Sequence, residues 1–190
     1  SLLERAHEER TFAAGQCCVF REGELVHGSA HGRFPGGDSV SEEALFDIAS
    51  VSKMVGTTLA IALLVEHGEL RLDMYARKFF PELDSRVTLR ELLGHRSGLP
   101  AWEPLFLAAR EHPSSALIYP DVAQGSLTAE MRSAAFITSR AKVIERAARA
   151  SVQGRRGTRV YSDLGFILLG RLVEVAASSP LNRFVADEVF

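Results

Sequence analysis

Residues 54–65 form a stretch of apolar and small side chains that carries no polar stripe. Such a pattern predicts a helix that is buried on all sides, and the stretch is too short to cross a membrane. Gly68 is expected just past the C-terminus of this helix, because glycine readily adopts the left-handed conformation that ends many helices. Ser50, which precedes the stretch, is therefore expected at the N-terminus of a buried helix.

The N-terminal part of the chain holds two strand-like segments. Residues 15–21 and 24–28 are predicted to be strands, joined at Glu22 and Gly23 by a hairpin turn. Residues 1–10 are charged and predict a helix before them. This part of the chain should therefore form an antiparallel hairpin that follows a short helix.

The rest of the chain is predicted to be mainly helical. Thr88 and Glu91 match a capping box, which opens a short helix. Residues 101–125 contain several prolines and predict a loop-rich cover that could form the wall of a cleft. Residues 128–150 predict one or two helices. A last helix is expected to begin with Ser179 at the cap and Pro180 in the first turn.

Composition and charge narrow the classes of partner. The 190 residues carry a formal net charge of −2, which gives no reason to expect a nucleic-acid partner. The arginines within residues 132–159 are interrupted by acidic and apolar residues, so they predict a solvated helical face. No group of histidines and cysteines has the spacing of a metal site, and we expect neither a metal nor a cofactor.

The two cysteines, Cys17 and Cys18, are adjacent. Neighbouring cysteines do not easily bridge, so both are expected to be reduced. The sequence shows no signal peptide or transmembrane run, and we expect no membrane span. Localisation stays open between the cytoplasm and, if a leader was removed, the periplasm or the exterior.

The strongest chemical candidate is the pair Ser50 and Lys53. One helical turn separates them, so a hydroxyl and an amine share one helix face and can exchange a proton. A desolvated lysine can activate a serine hydroxyl as a nucleophile. The N-terminal end of a helix also favours the negative charge of a reacting acyl oxygen. The alternative is that Ser50 only caps the helix and Lys53 is solvated.

Two further motifs give the pair a family context. Residues 157–165 contain a Gly-Thr turn followed by Tyr161-Ser162-Asp163, and residues 92–100 read Leu-Leu-Gly-His-Arg-Ser-Gly-Leu-Pro. With Ser50 and Lys53 as the S-x-x-K motif, the chain resembles the serine β-lactamase and penicillin-binding-protein superfamily. It looks most like the class C branch, which includes esterases, D-aminopeptidases and DD-peptidases. The resemblance covers nearly the whole chain.

This resemblance implies an α+β fold in which a helical region packs on an antiparallel sheet. Residues 1–190 would be a single incomplete domain, with the N-terminal helix and strands in 1–47 and a mainly helical region in 48–190. The family's third motif, Lys-Thr-Gly or a His-x-Gly equivalent, is not found after Asp163. We therefore expect the remaining strands and the third motif in a C-terminal segment after residue 190, without which the chain is expected to be a poor catalyst.

Asp163 stands where the family has asparagine in its Tyr-x-Asn motif. An ionised carboxylate only accepts hydrogen bonds, whereas an amide also donates them. Asp163 is expected to contact substrate. It could pair with Lys53 and hold it protonated, and it would repel a substrate carbonyl and favour ester or amine-bearing substrates. It could also cap a helix that begins near Leu164.

The implied function is that of a serine hydrolase that forms an acyl-enzyme on an ester, amide or β-lactam carbonyl. Ser50 would be the nucleophile, its proton would pass to Lys53 or Tyr161, and its backbone N–H would form half of the oxyanion hole. The substrate would be a small molecule or a short peptide. The alternative is a non-catalytic or slowly turning-over penicillin-binding or sensor relative. His95 and Ser97 are predicted to lie in a hydrogen-bonded turn rather than to form a second base and nucleophile.

Overall fold

The computed structural model describes residues 2–83, 86–110, 129–150 and 152–190, without the side chains of 109–110 and 129–135. It divides into two compact units, Ser1–Ala49 and Ser50–Phe190. The first contains a helix and a two-stranded antiparallel sheet, and the second is mainly helical. The predicted α+β class is confirmed.

The first unit is a helix followed by a hairpin. Helix α1 spans Leu2–Glu8, strand β1 spans Ala14–Arg21 and strand β2 spans Glu24–Gly32. The register runs from Ala14 opposite Gly32 to Arg21 opposite Glu24, with a shift between Val19 and Phe20. Between the strands, φ is 54° at Glu22 and 85° at Gly23, as a two-residue hairpin turn requires. The predicted hairpin is confirmed, and β2 is longer than expected because its last residues pair with the start of β1.

The second unit begins with a continuous helical segment that changes its winding. It is a 3₁₀ turn over Ala49–Val51, a π-helix over Lys53–Thr58 and helix α2 over Leu59–Glu66. The remaining helices follow in chain order: a 3₁₀ turn Ala76–Lys78, α3 Leu89–Leu93, α4 Phe106–Arg110, α5 Ala129–Ala148, α6 Asp163–Ala177 and α7 Leu181–Glu188.

The hydrophobic core of the second unit is centred on α6. Leu164, Leu168, Leu169 and Leu172 are inaccessible to solvent, and they belong to one cluster with buried residues of α2 and α3. Full burial of a leucine side chain contributes roughly 1.5–3 kcal/mol. Helix α6 is therefore held in place along its length, and its N-terminal end is a rigid support.

The prediction that residues 54–65 are buried on all sides is wrong for this structure. Met54 is 62% exposed, and Leu59 is also exposed, whereas Thr57, Ile61 and Leu64 are buried. The helical segment turns one face to the core, and its other face remains accessible although its residues are apolar.

This segment also bears on membrane insertion. Among the described residues, Ala49–Glu66 is long and apolar enough to cross a membrane, with a mean hydropathy of 1.4 over 18 residues. The apolar stretch predicted from the sequence, residues 54–65, is shorter because it leaves out the turn that carries Ser50 and Lys53. Helices α6 and α7 pass the same test only as a pair, and they are bent by 68°. Core helices pass this test as well, so it is weak support for insertion.

Three local predictions are corrected or completed. Of the one or two helices predicted in 128–150, the structure has one, α5, over Ala129–Ala148. Helix α7 has Pro180 rather than Ser179 at its N-cap, because Glu174 Oε1 accepts the backbone N–H of Leu181 at 3.1 Å and replaces a local cap. Within 101–125, α4 interrupts the predicted loop, and residues 111–125 lie outside the described part of the chain.

The capping box that opens α3 is confirmed. Glu91 N donates to Thr88 Oγ1 at 3.3 Å, and Thr88 N donates to Glu91 Oε2 at 2.9 Å. Arg156 adds an ion pair at 2.7 Å to the same carboxylate. This pair ties the start of α3 to the loop that precedes Tyr161. Gly68 has φ of 76° and follows His67, the C-cap residue of α2, which confirms its predicted role.

Candidate active site

Two loops of the second unit are paired through their backbones and bring the sequence motifs together. His95 O accepts the N–H of Val160 and Arg96 O accepts that of Gly157, both at 2.9 Å. Gly98, with φ of 80°, allows the loops to approach closely, since a Cβ there would lie 2.6 Å from the carbonyl oxygen of Gly154. The pairing positions the residues that follow Val160.

Ser162 connects these loops to the start of α6. Its backbone N–H donates to His95 Nδ1 at 3.0 Å, and its hydroxyl donates to Pro100 O at 2.7 Å. The same hydroxyl accepts the N–H of Gly165 at 3.4 Å and caps α6. The alternative that Asp163 is the cap is therefore wrong. Asp163 is the first helical residue, where a carboxylate is favoured by the helix dipole.

His95 supports the site from behind. It is buried, with φ of 55°, and its ring centroid lies 4.4 Å from that of Tyr161 and 5.0 Å from that of Phe166. Burial lowers the pKa of His95, and the charges of Arg159 and Lys53 lower it further. In the neutral imidazole, Nδ1 can be unprotonated and accept the N–H of Ser162.

Ser97 belongs to the turn and not to a second reactive pair. Its side chain is buried, and its hydroxyl accepts the N–H of Leu99 at 3.3 Å. The predicted hydrogen-bonded turn around His95 and Ser97 is confirmed. The sequence did not predict that the His95 ring packs against Tyr161 and helps to place it. The only sequence signal for this contact is the Leu-Leu-Gly-His motif.

The helical segment presents Ser50 and Lys53 on one face, as their spacing predicts. Lys53 Nζ donates to Ser50 Oγ at 3.0 Å. On its other side, Lys53 Nζ lies 2.9 Å from Asp163 Oδ1. The Lys53 side chain is only 17% exposed, whereas Asp163 is 42% exposed and remains open to solvent. The backbone before Ser50 is unusual, because Ala49 has φ of 44°, a conformation that costs an alanine about 1–2 kcal/mol.

Tyr161 completes the group of four predicted site residues. Hydrogen bonding with Ser50 and with Lys53, together with the charge of Lys53, lowers the pKa of the Tyr161 hydroxyl. Lys53 Nζ lies 5.3 Å from the centroid of the Tyr161 ring. All four predicted residues, Ser50, Lys53, Tyr161 and Asp163, are therefore brought together.

Lys53 is held in its charged form. Its partial burial lowers the pKa, but hydrogen bonds and charge interactions with Asp163 and Tyr161 outweigh this effect and raise the pKa above its ordinary value. The arrangement can thus supply a fixed positive charge beside a serine hydroxyl and a phenol whose proton is more easily lost than usual.

A cavity of about 430 Å³ opens beside Ser50 and Lys53. Its described polar lining consists of Ser50, Ser52, Lys53, Thr57, Glu103 and Asp163. Its described apolar lining consists of Trp102, Leu105, Phe106, Leu164, Phe166 and Ile167. The residues at 102–106 therefore form one wall, in the region where the sequence predicts the cleft wall. Among the described residues, no group of three or more His, Cys, Asp and Glu could hold a metal ion.

Comparison with known proteins agrees with the motifs. A family model described as beta-lactamase matches residues 1–190. The chain is 26% identical over 206 residues to an N-acetylmuramyl-L-alanine amidase of Bacillus subtilis (strain 168), covering 96% of this chain and 42% of the amidase. It is 34% identical over 112 residues to the esterase EstB of Burkholderia gladioli, covering 54% of this chain and 28% of the esterase.

A solved structure shows the same fold. The octameric penicillin-binding protein homologue from Pyrococcus abyssi superposes with a TM-score of 0.65 and 25% identity, over 97% of this chain and 40% of that protein. The chain spans less than half the length of these relatives. The predicted resemblance is confirmed: the chain belongs to the beta-lactamase family, within the superfamily of serine β-lactamases and penicillin-binding-protein-like hydrolases.

Proposed function

We propose that this chain carries the nucleophile and proton-transfer residues of a serine hydrolase that acts through an acyl-enzyme. The observation that supports this most directly is the 3.0 Å hydrogen bond between Lys53 Nζ and Ser50 Oγ, next to a phenol with a lowered pKa. A hydroxyl becomes a useful nucleophile when a positioned base takes its proton.

The charges favour Tyr161 over Lys53 as the proton acceptor. Lys53 is kept protonated by its pair with Asp163 and cannot accept a further proton. Tyr161, deprotonated beside this cation, would take the proton as Ser50 Oγ bonds to the substrate carbonyl carbon. Tyr161 would then return the proton to the leaving group, and the same residue would activate the water that releases the acyl group.

The tetrahedral intermediate needs hydrogen-bond donors for its oxyanion. The backbone N–H of Ser50, in the first turn of the helical segment, is proposed as one donor. The second donor and the third motif are proposed to lie in a C-terminal segment of the same protein, because the chain covers 42% of the B. subtilis amidase. Residues 1–190 would then be the first part of one domain that further strands complete.

The substrate class is proposed to be an ester, amide or β-lactam carbonyl in a small molecule or short peptide. The relatives are named as an amidase, an esterase and a penicillin-binding protein homologue, so their names do not agree on one substrate. A cavity of about 430 Å³ would accept a small acyl group rather than a folded protein.

A fluorophosphonate probe on the full-length protein tests this proposal. We expect one adduct, located by peptide mass spectrometry on Ser50, and hydrolysis of a chromogenic ester. Ser50→Ala should abolish both, whereas Ser39→Ala, an exposed serine in the other unit, should leave both unchanged. Labelling that persists in Ser50→Ala would refute the assignment.

A second candidate is a binding or sensor protein that is acylated but releases the acyl group slowly. Asp163 motivates it, since a lysine that is held protonated cannot act as a base, and deacylation would then depend on Tyr161 alone. Incubation with fluorescent penicillin separates the two. Release of the probe with turnover indicates the hydrolase, a lasting adduct on Ser50 indicates the sensor, and no adduct indicates a relative without acyl chemistry.

A further inference from the structure

His95 holds the chain on both sides of Tyr161. Its carbonyl oxygen accepts the N–H of Val160 at 2.9 Å, and its ring nitrogen Nδ1 accepts the N–H of Ser162 at 3.0 Å. Tyr161 is the residue between these two bonds, and the His95 ring also packs against its ring. The position of the Tyr161 phenol therefore depends on His95 through the backbone and through the side chain.

The bond to Ser162 is available to only one form of the His95 ring. A neutral imidazole donates from one nitrogen and accepts at the other. Because Nδ1 accepts the N–H of Ser162, the proton of the neutral ring belongs on Nε2. An imidazolium donates from both nitrogens. Its Nδ1–H would face the N–H of Ser162, and two donors cannot form a hydrogen bond.

The packing around the ring offers no equivalent orientation. His95 is 8% exposed, and its ring centroid lies 4.4 Å from that of Tyr161 and 5.0 Å from that of Phe166. A half-turn of the ring would bring the carbon Cδ2 to the place of Nδ1 and leave the N–H of Ser162 unpaired. Protonation of His95 therefore breaks the bond to Ser162. The peptide group that joins Ser162 to Tyr161 is then no longer fixed.

The surroundings keep the His95 ring neutral at pH 7. Among the described residues, the titratable groups that face it are Arg159 and Tyr161 on the paired loop, Lys53 on the helical segment and Asp163 at the start of α6. Burial lowers the pKa of His95 most, the charges of Arg159 and Lys53 lower it further, and the charge of Asp163 opposes them. The ring should therefore gain a proton only below pH of about 6.5.

We propose, on the basis of the hydrolase function above, that neutral His95 is a positioning residue for Tyr161, and that a proton on Nδ1 releases the phenol from Ser50 and Lys53. Acylation then fails in acid through two separate protonations. One neutralises Tyr161 as the base, and the other removes the support that holds it. The rate should depend on the first power of the proton concentration until His95 titrates, and on its square below that pH.

The rate at which a fluorophosphonate labels Ser50 in the full-length protein tests this, with mass spectrometry as the readout. From pH of about 8 down to about 4.5, the rate should first fall about tenfold per pH unit and then about a hundredfold per unit, once both groups gain protons. Other groups that titrate in acid act alike in the unchanged protein and in a His95 variant. The difference between their slopes therefore isolates His95.

Two substitutions separate the acceptor from the ring. His95→Asn supplies an amide oxygen near the place of Nδ1 and tolerates φ of 55°, but it gains no proton in this range. It should label within about tenfold of the unchanged protein at pH 7 and lose the steeper fall. His95→Phe keeps a ring without an acceptor, and it should label about 10²-fold more slowly at pH 7 because Tyr161 is misplaced. It should also lack the steeper fall.

His67→Asn is the matched control. His67 is exposed and lies outside the described lining of the cavity, so its loss should change neither the rate nor the slope. The ring itself gives a second readout in a long-range proton–nitrogen NMR spectrum. The signals that disappear in His95→Asn should show Nε2 protonated and Nδ1 unprotonated at pH 7, and should titrate where the steeper fall begins.

The outcomes separate this inference from the function on which it rests. If Ser50 is labelled and the acid slope is the same in the unchanged protein as in the His95 variants, the positioning by neutral His95 is refuted and the hydrolase function stands. A proton on Nδ1 at pH 7, or equal labelling of His95→Phe and the unchanged protein at that pH, refutes it as well. If Ser50 is not labelled at any pH, the hydrolase function fails and the positioning role fails with it.

Discussion

Replacement of Tyr161 by phenylalanine removes the proposed proton acceptor and little else. The ring contact with His95, with centroids 4.4 Å apart, does not involve the hydroxyl and should persist. Lys53 keeps its 2.9 Å pair with Asp163. General acid–base catalysis by one side chain contributes about 10²–10⁴-fold to rate. We therefore expect kcat/KM of the full-length protein on a chromogenic ester to fall by about 10²–10⁴-fold.

The stability of this variant should hardly change, because Tyr161 is 50% exposed and its hydroxyl is not enclosed by the core. The thermal unfolding midpoint is expected to shift by less than about 2 °C. Tyr75→Phe is the matched control, since Tyr75 is 51% exposed and lies outside the described lining of the cavity. An activity of Tyr161→Phe within threefold of the unchanged protein, a difference of roughly 0.6 kcal/mol, would show that the phenol does not carry the proton.

Three further predictions concern charge and backbone. With Tyr161 as base, kcat/KM should fall as pH drops through its lowered pKa, and Lys53→Gln should move this fall to higher pH, as a pH–rate profile would show. Glu174 is 9% exposed between two arginines, so Glu174→Gln should cost roughly 1.5–3 kcal/mol of unfolding free energy, whereas the exposed Glu145→Gln should cost little. Burial raises the pKa of Glu174, but hydrogen bonds and charge interactions with its partners lower it more. The stabilisation by ionised Glu174 should therefore be fully present above pH of about 4.5 and be lost as pH falls through the lowered pKa. Gly98→Ala should destabilise the protein by more than about 1 kcal/mol in denaturant unfolding, because φ is 80° and the facing carbonyl is 2.6 Å from the new Cβ; an unchanged midpoint would refute the close approach.

Local features were predictable because they depend on residues that are neighbours in sequence. The turn at Glu22 and Gly23 follows from the backbone freedom of one glycine between two strand-like segments. The capping box of Thr88 and Glu91 is a bond pattern within one helical turn. The contact between Ser50 and Lys53 depends only on helical spacing, which 3₁₀ and π winding altered without separating the two side chains.

Contacts between distant residues needed the tertiary structure. The sequence left three roles open for Asp163, one of them a pair with Lys53, and only the structure places Lys53 Nζ 2.9 Å from Asp163 Oδ1. The structure assigned the cap to Ser162, because its hydroxyl accepts the N–H of Gly165 while it donates to Pro100 O. In the same way, Glu174 replaced Ser179 as the group that satisfies the start of α7.

The difference has one physical reason. Backbone propensities and hydrogen bonds within a turn act over a few residues and have the same sign in any surroundings, so a sequence pattern is enough to identify them. The partner of a charge, the exposed face of an apolar helix and the pKa of a phenol depend on which segments the core packs together. Met54 and Ile61 lie in one apolar run, yet only Ile61 is buried, because burial is a property of the packed helices and not of the run.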